Sequence, residues 1–310
     1  MSPRRMPSFR PDIAGVKKTL RRYPFPQDII IESSAFCNLK CIMCPQPFLT
    51  RKRGAMSFRV FKKIIDEVAV ESPRSRIWIA IMGEPLLLKD KLIRMIRYGI
   101  GKGLELHLNT NAEFLTKSMA DQLIKAKLDE IIVGLDAATK ETFDKIRIGG
   151  DFDLIVGNVE YLLKAKKKKP HVVLQFIVMD ENEREMAEFK ERWLERGATV
   201  KIRQKLGWGA GVKADNLDLP ESERFPCSWL ARTVSIHWTG KFAQCDGDWD
   251  GKYSPGDINK QTIKEVWEGE LARRRARHWR MDFSHELCAK CKDWQAGRSQ
   301  FFYSGESGHD

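Results

Sequence analysis

From about residue 28 to 205 the chain alternates short apolar runs with longer stretches whose apolar residues recur at helical spacing. The runs at 28–32, 76–82, 104–109, 130–135, 172–179 and 199–203 predict strands. The stretches at 58–70, 89–99, 116–126, 154–166 and 183–196 each predict an amphipathic helix with one buried face. Strand–helix alternation predicts a parallel sheet with helices packed on it, an α/β fold. The pattern ends at Gly207-Trp208-Gly209-Ala210-Gly211, which reads as a linker. From there to residue 310 the chain is rich in Gly, Trp and Cys, and only short elements are expected. Three segments follow: a basic extension over 1–27, an α/β domain over 28–206 and a small cysteine-rich domain over 207–310.

Polar residues interrupt this pattern at regular positions. In the third strand, Glu105, His107 and Asn109 alternate with three leucines, so they share one face. In the sixth, Lys201 and Arg203 stand opposite Val200 and Ile202. Basic residues on one strand face either line an interior site or, on an edge strand, meet solvent. Gln175 on the fifth strand poses the same choice, and His107 reads either as a hydrogen-bonded core histidine or as a proton-transfer group.

The 310 residues are 42% hydrophobic and 31% charged, as in a soluble globular protein. No run of about 18 apolar residues is present, so no spanning helix is expected. The N-terminus is basic without an apolar signal core, so a cytoplasmic location is expected. Seven cysteines in such a chain suggest metal or catalysis rather than disulfides. The net charge of +12 gathers at Lys164 and Lys166 to Lys169, and at Arg273, Arg274, Arg275, Arg277 and Arg280. Such clusters read either as a helix C-terminus with a solvated face or as attraction for an anionic substrate. No nucleic-acid motif is present, and nucleic acid is not expected as a partner.

Cys37, Cys41 and Cys44 stand in a C-x3-C-x2-C spacing. Three thiolates in so short a loop can hold three irons of a [4Fe–4S] cube, which four normally bind, leaving the fourth iron open. Zinc also accepts C-x2-C pairs. Cys227, Cys245, Cys288 and Cys291 form a C-x12-G-x4-C segment followed by C-x2-C. Four thiolates make a closed site for tetrahedral zinc or for a fully ligated cube.

On the first triad and the six strand–helix units, the chain resembles the radical S-adenosylmethionine (SAM) superfamily, whose fold is a partial (β/α)6 TIM-like barrel. The resemblance implies SAM on the open iron of a three-cysteine [4Fe–4S] cluster, cleaved reductively to a 5′-deoxyadenosyl radical that abstracts hydrogen. Met43 stands where the family usually packs an aromatic on adenine. Gly83, Glu84 and Pro85 match the motif that presents acceptors to the SAM ammonium. Asn109 and Asn111 match an asparagine beside the ribose. Gly134 replaces the usual serine of the fourth strand, so a side-chain contact to the ribose is expected to be absent. Asp136 is either a SAM contact or the N-cap of a helix beginning near Thr139. Arg147 stands where relatives have a basic residue reaching the SAM carboxylate.

The second cysteine set resembles a SPASM domain. No cysteine follows Cys291, so one auxiliary [4Fe–4S] cluster is expected, the shortened twitch form of 2-deoxy-scyllo-inosamine dehydrogenase-type enzymes. Both sets together leave no thiol to return hydrogen to a substrate radical, as related epimerases do. The resemblance therefore implies oxidation of a hydroxyl on a sugar or aminocyclitol, nucleotide- or phosphate-linked forms included, to a ketone. The auxiliary cluster would accept the electron, and Arg203, Lys201 and His107 are candidates for positioning or proton transfer. Decarboxylation, dehydration or epimerisation of a sugar, or maturation of a ribosomal peptide, are the alternatives. A small-molecule substrate and an external one-electron reductant such as flavodoxin or ferredoxin are the expected partners.

Overall fold

The structure, a computed structural model, describes residues 12–297 and the backbone of a strand at 302–304. The part of the expected basic extension before residue 12 lies outside the described residues.

Six strands, β1 (Asp28–Ile31), β2 (Arg76–Ile79), β3 (Leu106–Thr110), β4 (Glu130–Gly134), β5 (His171–Val178) and β6 (Thr199–Gln204), lie side by side in chain order and all parallel. After α1 (Ile13–Lys18), the helices of this region are α2 (Phe58–Glu71), α3 (Asp90–Gly101), α4 (Lys117–Lys125), α5 (Lys140–Ile146), α6 (Phe152–Ala165) and α7 (Met186–Glu195). Local chemistry sets their starts. The side chains of Ser57, Thr116, Thr139 and Asp151 each accept a backbone N–H from the first turn of α2, α4, α5 and α6. In α2, Val60, Phe61, Ile64, Ile65 and Val68 form the buried stripe.

That stripe packs on the sheet face carrying Ile29, Ile31, Ile77, Ile79, Leu106, Leu108, Ile131 and Val133, all fully buried. Burying each such side chain contributes about 1.5–3 kcal/mol before entropy is counted. The opposite face carries a small separate cluster, Ile30, Trp78, Ile132 and Val173. These residues form the floor of the interior. Above them, towards the C-terminal strand ends, the interior side chains become polar. Parallel barrels build their active sites at that end.

The structure departs from the sequence pattern at several places. Ile81 adopts φ 79°, a left-handed conformation that ends β2 at Ile79 rather than 82. The cysteine-rich segment also contributes to the main sheet: β7 (Thr233–Ile236) pairs parallel with β1, β8 (Phe242–Ala243) pairs with β7, and β9 (Phe302–Ser304) pairs antiparallel with β6. The linker near 207 thus divides the sequence but not the sheet. Helices α8 (Ser228–Arg232), α9 (Ile263–Glu268), α10 (Glu270–Trp279) and α11 (Glu286–Ala289) complete this region, and α10 has ten residues where only short elements were expected. Among the described residues, no helix is long and apolar enough to cross a membrane.

Candidate active site

The loop after β1 carries Cys37, Cys41 and Cys44, all half-buried. It is pinned from three sides. Lys40 and Ile42 donate their N–H groups to the carbonyls of Ile148 and Ile146 (2.9 and 3.0 Å), Gln46 Nε2 donates to the Ala35 carbonyl (3.1 Å), and Glu84 N donates to the Phe36 carbonyl (2.7 Å). Burial pushes the Cys37 thiol up to about 11 and the Cys44 thiol up to about 12, and the neighbouring sulfurs add to the rise. Iron offsets that cost, because a coordinating thiol is deprotonated outright. No three His, Cys, Asp or Glu side chains among the described residues converge on one ion position. In a cube each thiolate meets a different iron, so convergence on a single point is not required.

The three cysteines open into a cavity of about 1170 Å³, its open mouth included. Met43, Gly83, Glu84, Asn109, Asn111 and Arg147 line it. Gly83 has φ 96°, and a Cβ there would stand 2.2 Å from the Ser34 carbonyl oxygen, so the close approach requires glycine. The buried Glu84 carboxylate accepts from Leu86 N (2.9 Å), Thr110 Oγ1 (2.7 Å) and Asn111 N (2.8 Å). Three of its roughly four lone-pair sites are therefore taken, and its first role is to fix the loop around Asn111. Asn109 Oδ1 is buried at the cavity wall and has no hydrogen-bond partner among the described residues. Such an acceptor needs a donor, and a ribose hydroxyl is one.

Arg147 and Gly134 explain each other. A Cβ on Gly134 would lie 2.3 Å from Arg147 Nη2, so the guanidinium occupies the space that a serine side chain would need. Arg147 Nε donates to Asp136 Oδ2 at 2.9 Å, Nη2 pairs with the same oxygen, and Nη1 lies 3.9 Å from Cys41 Sγ. Burial would lower its pKa, but Asp136 and Cys41 overcome this and hold it charged.

Three expected site residues stand behind the cavity instead. Asp136 is neither a lining residue nor the cap of α5, which is Thr139. It is the counter-ion of Arg147 and also accepts Ile177 N at 2.7 Å. Pro85 is buried and opens the 3-10 turn Pro85–Leu88, where its missing N–H costs nothing. His107 lies below the cavity, stacked on Trp78 at 4.2 Å, with Nδ1 3.0 Å from Glu130 and Nε2 2.8 Å from Glu105. Its reading as a proton-transfer group is corrected: it is a core histidine with two carboxylate partners.

Lys201, Arg203 and Gln175 face the interior rather than solvent, and all three line the cavity. β6 is not an edge strand, because β9 covers it. Arg203 Nε donates to Gln175 Oε1 at 3.1 Å. The opposite wall was missed by sequence reasoning: Trp208, Trp229 and Asp246. Trp208 sits in the linker at φ 50°, its Nε1 donating to the Met43 carbonyl at 3.0 Å. Asp293 holds it there by accepting Gly207 N and Gly209 N (2.6 and 3.0 Å). Trp229 and Asp246 follow Cys227 and Cys245 within two residues. That adjacency was the available signal, since a wall built on cluster ligands must face the neighbouring space.

The remaining four cysteines come together behind that wall. Burial pushes Cys227 up to about 12, with the charge of Cys288 adding, and burial also raises Cys245 well above the usual thiol value, with Cys227, Cys291 and Cys288 adding. Gln244 Nε2 donates to Cys288 Sγ at 3.1 Å. The donor set, four clustered thiols inside an apolar shell of Leu206, Leu217 and Trp229, fits a closed iron–sulfur site.

Residues 31–192 match the radical SAM superfamily, and residues 227–292 match the SPASM iron–sulfur cluster-binding domain. The AdoMet-dependent heme synthase of Methanosarcina barkeri is 34% identical over 142 residues, covering 45% of this chain and 40% of that protein. The S-adenosyl-L-methionine-dependent 2-deoxy-scyllo-inosamine dehydrogenase of Niallia circulans is 22% identical, covering 78% of this chain and 82% of that one. The crystal structure of BtrN in complex with AdoMet and 2-DOIA superposes with a TM-score of 0.59 at 18% identity, over 87% of this chain and 94% of that one, a likeness of fold. This chain spans about half the length, or less, of the first curated relatives it matches. With the first match covering just over half of its residues, the chain belongs to the radical SAM superfamily.

Proposed function

We propose that this radical SAM enzyme oxidises a hydroxyl of a small polyhydroxylated substrate, a sugar or aminocyclitol, to a ketone. One observation carries the reading: a single cavity begins at Cys37, Cys41 and Cys44 and ends on Trp229 and Asp246, beside the auxiliary cysteines. When bound, the two clusters supply an electron to cleave SAM to the hydrogen-abstracting radical and an acceptor for the electron the substrate then loses. The chain's own residues do the rest. Arg147, held charged by Asp136, orients the SAM carboxylate. Asn109 Oδ1 takes a ribose hydroxyl, and Met43 packs on the adenine through its thioether. Lys201 and Arg203 donate to substrate oxygens, and Asp246 accepts from the reacting hydroxyl. Trp78 and Trp208 give the sugar ring apolar faces and exclude water.

The test is SAM turnover by the anaerobically reconstituted protein over a panel of sugars, aminocyclitols and their phosphates. The expected result is one 5′-deoxyadenosine per ketone formed. Deuterium uptake from solvent into an unchanged skeleton, or turnover only with a peptide, would replace this reading.

A further inference from the structure

We propose that the arginine-rich face beside Cys288 docks an acidic one-electron carrier protein of the flavodoxin class. The proposal rests on the auxiliary iron–sulfur reading above. Cys288 is the auxiliary cysteine that lines a surface cleft, together with Gln244, Arg274, Arg277, His278, Asp282 and His285. Its sulfur accepts from Gln244 Nε2, and Gln244 Oε1 accepts from Arg274 Nη1 at 2.7 Å. A chain of hydrogen bonds thus runs from a cluster ligand to α10.

Around the cleft the charge is one-sided. Between residues 270 and 292, seven Arg and Lys face three Asp and Glu. Arg273, Arg277 and the C-cap Arg280 recur at i, i+4 and i+7 along α10, and Arg277 also lines the cleft. Lys290 follows α11, the helix that carries Cys288. Glu270 pairs with Arg273 and Arg274, and Asp282 with Arg277. Arg280, Lys290 and Lys292 form no ion pair among the described residues and are exposed. The other basic cluster, Lys164 and Lys166 to Lys169, spans the C-terminal end of α6 and the turn before β5. Of these two surface clusters, the arginine face is the one that shares a cleft with a cysteine of either set.

A small charged patch suits a transient redox encounter, in which electrostatics steer association more than they hold the complex. With a cluster bound at Cys227, Cys245, Cys288 and Cys291, one electron would leave through this face for the oxidised flavin of the carrier, which would take one proton from water, and no bond to the protein would form or break. The substrate oxidation returns the electron spent in cleaving SAM, so one carrier pool serves both ends of the reaction.

Anaerobic titration of the reconstituted full chain with oxidised flavodoxin, followed by flavin fluorescence at low and high salt, tests the proposal. The triple variant Arg273→Glu, Arg280→Glu, Lys290→Glu is expected to bind about tenfold more weakly and to lose most of the salt dependence. Reversal of Lys166, Lys167 and Lys168 to Glu is expected to leave binding unchanged. Equal weakening by both triples overturns the proposal. So does no effect of the first triple, or tighter binding of a DNA duplex than of flavodoxin at the arginine face. Iron content and melting temperature of each variant separate lost docking from lost structure. Binding of flavodoxin to protein with only about four irons would fault the auxiliary-cluster reading and leave the docking surface standing.

Discussion

At the scale of single residues, the site is decided by pairs that are distant in sequence. Gly134 has an open wall only because Arg147 fills it, and Asp136 leaves that guanidinium nowhere else to go. Gly134→Ser is therefore expected to break the Asp136–Arg147 pair and raise the SAM dissociation constant about tenfold, or ~1.4 kcal/mol, as read by equilibrium binding. Unchanged affinity would exclude Arg147 from the SAM site. His107 makes a different prediction. Burial lowers its pKa, but Glu105 and Glu130 raise it by more, so its folded value lies above the ordinary 6.5 of histidine. Its stabilising contribution is fully present below 6.5 and is lost as pH rises through the raised folded value. His107→Gln should thus lower the melting temperature most at acid pH, with the difference shrinking towards alkaline pH. Sequence alternation placed His107, Asn109, Lys201 and Arg203 on definite strand faces. It did not say how deep each lies, and depth separates the plugged His107 from the lining Asn109 one pleat above.

At the scale of elements, the two cysteine-bearing regions are strapped together by the loop after Cys44. Thr50 N and Arg51 N donate to Asp250 Oδ1 (2.8 and 3.2 Å), and Arg51 Nε donates to the Trp249 carbonyl at 3.0 Å. The same Arg51 forks onto buried Glu32, which also accepts Trp238 N at 3.0 Å and lies 3.4 Å from His237 Nδ1. Removing one partner of a buried pair costs about 3–5 kcal/mol, so Arg51→Ala is expected to lower the melting temperature by roughly 5 °C or more. Burial alone would raise the Glu32 pKa, but His237 and Arg51 together lower it. The stability it supplies is present above 4.5 and is lost as pH falls through the lowered folded value. Acid unfolding of Glu32→Gln should accordingly be shallower than that of the parent. The linker offers a second test. Asp293→Asn puts an N–H donor against the amides of Gly207 or Gly209 and should reduce auxiliary iron while sparing the first cluster, read by iron analysis and electron paramagnetic resonance. Amphipathic periodicity revealed α2, α3, α4, α6 and α7 because each has a long apolar stripe. β7 escaped because four residues carry no period and its partner, β1, lies about 200 residues earlier.

At the scale of the molecule, one cavity joins two cysteine sets, and the metal content is the direct check. The reconstituted chain should hold about eight irons, four per cube. Stripping them should lower the melting temperature, because seven thiols whose burial disfavours ionisation lose the cations that bound them. By itself the sequence determined the grouping of the seven cysteines into two sets and the parallel strand–helix order. Cluster ligation and strand patterning are local, and spacing along the chain is enough to specify them. Tertiary structure alone decided that Lys201 and Arg203 face inward, that Asp136 serves Arg147, that Trp208 and Asp246 form the far wall, and that β7 continues the barrel's own sheet. Each of these depends on which surfaces meet once the helices have buried their apolar stripes, and a side chain's own neighbours in sequence carry no record of that meeting.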